Sequence, residues 1–414
     1  MSAELQVRGS APAMPTRRRT VTALLASSAA LLSGCSSSSS LFSNSHFFSS
    51  TPAAQTPPPT APAATIGTGQ VKVGLLLPVS AGGNAGLAAE AMRNAAEMAL
   101  AEFNSPNIQL LVQDDAGNTD TARIVAQQAL DQGAQIILGP LFAQSVNVVG
   151  QLTRQRNIPV IAFSTDANVA SPGVYLLSFL PESDVERIVQ YASSTGKRSF
   201  AALVPSNPYG TVVEAAFRQD VARHNGQIVA LEHYPHDNAG MAAPVRAVAQ
   251  AAARADALFI PDGGDAVPGV VQMLTADGMN NKRIQLLGTG LWDDPRIYAM
   301  PALDGGVYAA PDAAGYRSFS TRYRQRFNKD PVRTATLAYD AVALVAALVK
   351  TQPDPQVRFS PQILTNASGF TGIDGLFRFL PNGTNQRGLA VLRVTRSGPQ
   401  TISPPPRSFG NSGI

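Results

Sequence analysis

The sequence predicts an α/β fold: two doubly wound parallel-sheet lobes joined by hinge crossovers. Three observations carry this. Strand-like apolar runs start at intervals of about 25 to 40 residues, the length of a strand plus a crossover helix. Runs such as Gly74-Leu75-Leu76-Leu77 are continuously apolar, as strands buried on both faces are. The alternation pauses twice, after Tyr175 to Phe179 and from Leu291 to Pro311, which divides it into two similar halves.

The chain begins with Arg17-Arg18-Arg19, an apolar run from Val21 to Leu32, and Leu32-Ser33-Gly34-Cys35. A charged region, a short apolar stretch and small residues before a cut are the order of a secretory signal. Here the cut is expected before Cys35, the only cysteine, which then carries a lipid as the new N-terminus, in the manner of bacterial lipoproteins. An ordinary signal peptide with a leftover thiol is the other reading. Thr16 and the arginines also hint at twin-arginine export, with Val21 and Thr22 a weak continuation. With a single cysteine no internal disulfide can form, so stability rests on the core. Net charge is +4, but the signal takes four arginines and one glutamate with it and leaves the mature chain near +1. A nucleic-acid partner has little electrostatic support at that charge.

Residues 36–70 are mostly Ser, Thr, Pro and Ala and lack Asp, Glu, Lys and Arg. They read as a disordered tether with an r.m.s. span of roughly 30–35 Å. From Val71 strands are expected at Val71–Leu77, Ile108–Gln113, Gln135–Leu138, Pro159–Ala162, Ser199–Val204, Gln227–Leu231, Ala257–Ile260 and Ile284–Leu287, with helices between them. In the first helix Leu87, Met92, Ala95, Met98, Ala99 and Phe103 recur at helical spacing and read as core. Asn118-Thr119-Asp120 caps the next helix. After the second pause, helices Gly315–Phe327 and Thr334–Lys350 follow without an intervening strand. The expected division is 1–34 signal, 35–70 lipidated cysteine and tether, 71–180 first part of lobe 1, 181–305 main part of lobe 2, 306–350 return helices of lobe 1, 351–396 return to lobe 2 with the hinge, and 397–414 disordered tail.

Val73-Gly74-Leu75-Leu76-Leu77-Pro78, Gln113-Asp114-Asp115, the run Gly133 to Pro140, Ile158 to Ala162 and Pro208-Tyr209-Gly210 together resemble a type I periplasmic binding protein of the leucine/isoleucine/valine-binding kind, from Val71 to about Val394. Within that family the chain looks most like lipoproteins that activate penicillin-binding proteins, through Leu138 to Phe142, Ala162 to Asp166 and Gly288 to Asp294. The resemblance implies the type I periplasmic-binding-protein fold, with a small polar ligand, such as an amino acid, held between the lobes.

In open parallel sheets ligands sit beyond the carboxyl ends of the strands. That rule selects Ser80, Phe142, Ala143, Gln144, Ser164, Thr165, Asp166, Tyr209, Asp262 and Trp292 as candidates. The family pattern implies that the loops after Gly139-Pro140 and after Ile161 grip a carboxylate, with Ser164 and Thr165 as donors. Two positions depart from it: Ala143 stands where a Ser is usual and Asp166 near a usual Thr. An ionised Asp166 would repel a ligand carboxylate unless it caps the following turn. Gly290 stands about where the acidic partner of an ammonium is expected, and Asp262, Asp293 or Asp294 could supply that charge. Trp292, the only tryptophan, reads as a lid, a ligand stacker or a partner anchor. Tyr209 divides between helix-start packing and ligand contact.

Nucleophile-elbow, Walker and His-Glu-x-x-His motifs do not occur, and the chain reads as non-enzymatic without metal or cofactor. His233, His236 and Asp237 form the one metal-like cluster and read as a surface loop. The basic run Arg317, Arg322, Arg324, Arg326, Lys329 and Arg333 is a solvated face or a docking surface for an acidic partner. Two functions remain. One is a solute receptor serving an ABC permease. The other is a lipid-anchored activator of a peptidoglycan synthase in the periplasm, where Ser36 after the lipidated cysteine matches outer-membrane sorting.

Overall fold

The computed structural model describes residues 64–103, 106–279 and 283–409. Cys35, the signal and most of the tether lie outside them. The described chain opens with β1 (Ala64–Ile66), β2 (Val71–Leu77), α1 (Gly83–Glu102), β3 (Ile108–Asp114), α2 (Thr119–Asp131), β4 (Ile136–Leu138), α3 (Ala143–Arg154), β5 (Val160–Ala162) and β6 (Val174–Leu176). These six strands form the lobe 1 sheet in the order β1-β3-β2-β4-β5-β6, parallel except for β1. The chain crosses to lobe 2 through Leu177–Leu180 and continues with α4 (Pro181–Ser194), β7 (Ser199–Pro205), α5 (Pro208–Arg223), β8 (Gln227–Tyr234), α6 (Asn238–Ala251), β9 (Ala257–Phe259), α7 (Val267–Ala276), β10 (Gln285–Gly288), the single turn α8 (Pro295–Tyr298) and β11 (Val307–Ala310).

A second crossover, Pro311 and Asp312, returns the chain to lobe 1 for α9 (Ala313–Phe327), α10 (Ala335–Thr351), the short α11 (Pro361–Leu364) and a three-stranded sheet of β12 (Phe370–Gly372), β13 (Gly375–Phe379) and β14 (Asn385–Arg387). Gly388 and Leu389 cross a third time, and β15 (Ala390–Thr395) and β16 (Gly398–Ser403) extend the lobe 2 sheet to β16-β15-β11-β10-β9-β7-β8. In both lobes the first five parallel strands take the order 2-1-3-4-5, one of the two common doubly wound arrangements. The expected α/β architecture of two lobes with parallel sheets is therefore the observed one.

Packing follows the sequence periods. Strand β2 is buried along almost its whole length, because helices cover both faces of its sheet. On one face lie Met92, Ala95, Met98 and Ala99 of α1 against Leu337, Val342 and Val345 of α10. On the other lie Ala122, Val125 and Ala129 of α2 with Val146 and Val149 of α3. Leu87, assigned to the stripe of α1, is instead 59% exposed. The Asn118 side chain accepts from Thr121 N at 2.9 Å and starts α2 as expected.

Several expectations need correction. Residues 64–66 of the supposed tether form β1, and 398–403 of the supposed tail form β16; both are short, largely exposed edge strands with no buried alternating face to betray them. The second pause contains β11, whose four buried residues follow a stretch dominated by turns. Within 351–396, Phe359, Leu364, Phe377 and Phe379 join the lobe 1 core, and only β15 returns to lobe 2. Most of the basic run is paired locally: Arg326 with Glu97 at 2.9 Å, Lys329 with Glu90 at 2.8 Å, Arg324 with Asp330, and Arg333 with buried Asp374 at 2.5 Å.

The hinge carries buried charge. Ser178 O in the first crossover accepts from Asn385 Nδ2 and from Arg387 Nε, both at 2.8 Å, which ties β14 to that crossover. The Phe179 ring has the Arg387 guanidinium at 4.7 Å and that of Arg333 at 5.1 Å. Asp340 receives Ile373 N at 2.8 Å, and burial pushes its carboxyl up to about 7 against the pull of Arg387.

Candidate interlobe ligand site

The carboxyl ends of β6 and β11 run into crossovers, so the loops at the carboxyl ends of the parallel strands lie on the side of each sheet from which the chain passes to the other lobe. The switch points, where the strand order reverses, lie between β2 and β4 and between β7 and β9. Around the first switch point, Asp114 Oδ1 accepts from Ser80 N at 3.2 Å and Ala116 N at 2.9 Å, and Asp115 Oδ1 accepts from Gly117 N at 2.9 Å. These bonds hold a tight loop in which Ala116 and Gly117 have φ of 50° and 71°, the left-handed region that suits glycine at the second position. A Cβ on Gly117 would also lie 3.0 Å from the Phe142 ring, which is 39% exposed at the start of α3. Burial pushes the Asp115 carboxyl up to about 6.

Helix α3 opens on the same rim. Phe142 at its N-cap offers no side-chain acceptor, so the first-turn N–H groups, including those of Ala143 and Gln144, keep the partial positive charge of a helix N-terminus. Ser145 Oγ in that turn is buried without a partner. In the neighbouring loop Ser164 is buried and its Oγ accepts from Asp166 N at 3.1 Å, while the Thr165 side chain is exposed. Asp166 caps the following turn, accepting from Asn168 N at 3.0 Å and from Asn168 Nδ2 at 2.9 Å. Of its two readings, capping is the one realised.

In lobe 2, Tyr209 is half-buried at the start of α5 and shares a 2.9 Å hydrogen bond with Thr289 Oγ1, an arrangement in which burial raises the phenol. Its helix approaches the preceding strand so closely that a Cβ on Gly210 would meet Pro205 O at 1.8 Å. Asp262 is spent within the lobe. Its Oδ2 accepts from Tyr234 OH at 2.6 Å and stands 2.7 Å from His236 Nε2, and its Oδ1 accepts from Gly263 N at 2.8 Å. His233 pairs separately with Glu214 at 2.5 Å.

Trp292 is corrected: its side chain is fully buried in the lobe 2 core with Nε1 donating to Ile260 O at 3.1 Å, so it cannot stack on a ligand in the cleft. Asp293 accepts from Tyr298 OH, and Asp294 caps α8 and pairs with Arg296 at 2.7 Å, so neither supplies the missing acid. The carboxylate that meets Gly290 comes from α4. Asp184 Oδ2 accepts from Gly290 N at 2.9 Å, and burial pushes its carboxyl up to about 7. Glu182, one residue into the same helix, is raised by burial and then by Asp166 across the cleft, and its Oε2 is buried without a partner.

Sequence reading missed both of these acids. Pro181-Glu182-Ser183-Asp184 reads as an ordinary helix start, where first-turn acids are common. The arrangement is amphoteric: lobe 1 offers N–H and hydroxyl donors for an anionic group, and lobe 2 offers carboxylates for a cationic one.

The periplasmic binding protein family model matches residues 70–399. Among solved structures, a branched-chain amino acid ABC transporter protein from Rhodospirillum rubrum is similar, with a TM-score of 0.71 at 19% identity, over 80% of this chain and 99% of that one. So is a branched chain amino acid ABC transporter periplasmic ligand-binding protein from Burkholderia xenovorans LB400, with a TM-score of 0.67 at 19% identity over 82% and 97%. A solute binding protein of an ABC transporter from Rhodopseudomonas palustris BisB5, in complex with 3,4-dihydroxy benzoic acid, gives a TM-score of 0.57 at 19% identity over 81% and 98%. No curated protein matches the chain. With the family model spanning most of its length and both lobes, the chain belongs to the periplasmic binding protein family.

Proposed function

We infer that this protein is an extracytoplasmic receptor that closes its lobes on an amino acid or similar small polar ligand and presents it to an ABC permease. One observation carries the reading: the uncapped first turn of α3 in lobe 1 and the carboxylates of Asp184 and Glu182 in lobe 2 complement the two charged ends of such a ligand. Cys35 would anchor the protein by its lipid, and the tether would let the lobes reach a partner away from the membrane.

The second reading is a lipid-anchored activator of a peptidoglycan synthase at the outer membrane, acting through protein contacts. It is favoured by the degree to which lobe 2 satisfies its own polar groups, with Asp262 held by Tyr234 and His236 and Tyr209 held by Thr289.

Thermal shift of the full chain against amino acids, small peptides, aromatic acids and cell-wall fragments separates the two. A ligand present at a hundredfold excess over its dissociation constant adds about 2.7 kcal/mol. The expected result is a clear shift with one amino-acid class, weakened about tenfold in affinity by Asp184→Asn. Absence of a shift with every compound would overturn the receptor reading and leave the activator.

A further inference from the structure

A cavity of about 390 Å³ lies at the hinge, outside the interlobe cleft. Helix α4 supplies one wall: Ser183, Arg187 and Gln190 recur at helical spacing on the face turned away from Val185, Ile188 and Val189, which are buried in lobe 2. The second wall is the three-stranded sheet of lobe 1. There Arg378 stands opposite Gln386, on the side of the sheet away from Phe377 and Phe379. The chain after β16 closes the third side, where the Phe409 ring lies 4.6 Å from the Arg378 guanidinium.

The charge in this cavity is unbalanced. Arg187 is half-buried, and its Nε and one terminal nitrogen are directed to Leu389 O at 2.9 Å and Ser403 Oγ at 2.7 Å. Burial pulls it below the usual guanidinium range. Arg378 donates to Gln386 Oε1 at 2.9 Å and to Ala367 O at 3.1 Å. Neither has a carboxylate within ion-pair distance among the described residues, although desolvated arginines are ordinarily paired. Among the described residues Glu186 is the only acid bordering the cavity; it is exposed and stands 3.9 Å from Arg223. Arg387 also borders the cavity, but it has Asp340, Asp374 and Asp184 about it.

Two forked cations with two hydroxyls, of Ser183 and Ser408, and two amides around a polar hollow form a receptor for carboxylate or phosphate oxygens. The volume lies in the range of small-molecule sites. We propose that this hinge cavity is a second ligand site, taking a small oxyanion, a polycarboxylate or a phosphate. Because α4 belongs to lobe 2 and β13 and β14 to lobe 1, an anion held there bridges the lobes. It therefore favours one lobe angle and couples reciprocally to whatever binds in the cleft.

Isothermal titration of the full chain with inorganic phosphate and with citrate tests the site, with phosphatidylglycerol vesicles as a separate arm for an oxyanion borne by a lipid headgroup. Saturable binding is expected. Ser183→Glu should abolish it, since the new carboxylate occupies the cavity wall, and this variant should fold because an acid suits the first turn of a helix. Arg378→Gln should weaken binding about tenfold or more, and Arg393→Gln, on an exposed strand position, should not change it. Binding to vesicles alone, lost in Ser183→Glu, assigns the site to a lipid phosphate. No saturation by any probe at about 10 mM, or binding that persists in Ser183→Glu, overturns the proposal.

Discussion

Replacing Trp292 by alanine is expected to destabilise the protein by about 3–5 kcal/mol, the cost of emptying a large aromatic site in a packed core. The ring is fully buried and closed in by backbone. A Cβ on Gly288 would stand 2.1 Å from its Cδ2, and one on Gly306 would stand 2.9 Å from its Cζ3. The indole also loses its bond to Ile260 O, which keeps only the Asp262 N–H at 2.9 Å. Urea denaturation of wild type and Trp292→Ala measures the loss. Because this is the only tryptophan, fluorescence gives an independent check. Emission should be blue-shifted in the native protein and should not move when a ligand enters the cleft. A loss under about 1 kcal/mol, with emission that responds to a cleft ligand, would return the residue to the ligand site.

The second large effect is expected at the hinge. Arg387 is 6% exposed and stands among Asp340, Asp374 and Asp184, and removing one member of such a buried charge cluster typically costs about 3–5 kcal/mol. Arg387→Met should lose that much near pH 8, together with one of the two ties of β14 to Ser178 O, that from Asn385 remaining.

The loss should shrink on acidification. Burial already raises Asp340 from 3.8 to about 7 while Arg387 holds it down, so without the arginine its folded value rises further. A carboxyl raised on folding contributes stability that is complete below 3.8 and is lost as pH climbs through the folded value. Arg387→Met should therefore be closest to wild type at pH 5 and furthest from it at pH 8. Asp340→Asn placed on top of it should recover part of the loss at pH 8. Equal losses at both pH values would show that the arginine matters for packing and not for charge.

Much of the fold was legible because its signals are local. Continuous apolar runs marked β2, β3 and β7, and Asn118 announced the start of α2 through a bond spanning three residues. The rule that ligand loops follow strand ends selected Ser80, Phe142, Ala143, Gln144, Ser164, Thr165 and Tyr209, which stand in the segments that follow β2, β4, β5 and β7. Residues 64–66 and 398–403 escaped notice because an exposed edge strand takes its shape from the neighbour that pairs with it, and its own sequence carries no buried period.

The site was legible only in part. Trp292 stands in a stretch rich in Gly and Asp, which locally suggests exposure, yet the ring turns inward because two glycines, at 288 and 306, leave room for it. Asp184 meets Gly290 across 106 positions of sequence, and Arg387 meets Ser178 across 209. By itself, the sequence determined the parallel α/β class with two lobes and the alternating run of strands and helices from β2 to β10, since these follow from backbone periods and caps within a few residues. Which carboxylate meets Gly290, where the tryptophan points and how the hinge holds its charges were decided by the tertiary structure. Those outcomes depend on which distant backbone segments meet, because most interior polar groups find their partners only among what the fold brings within reach.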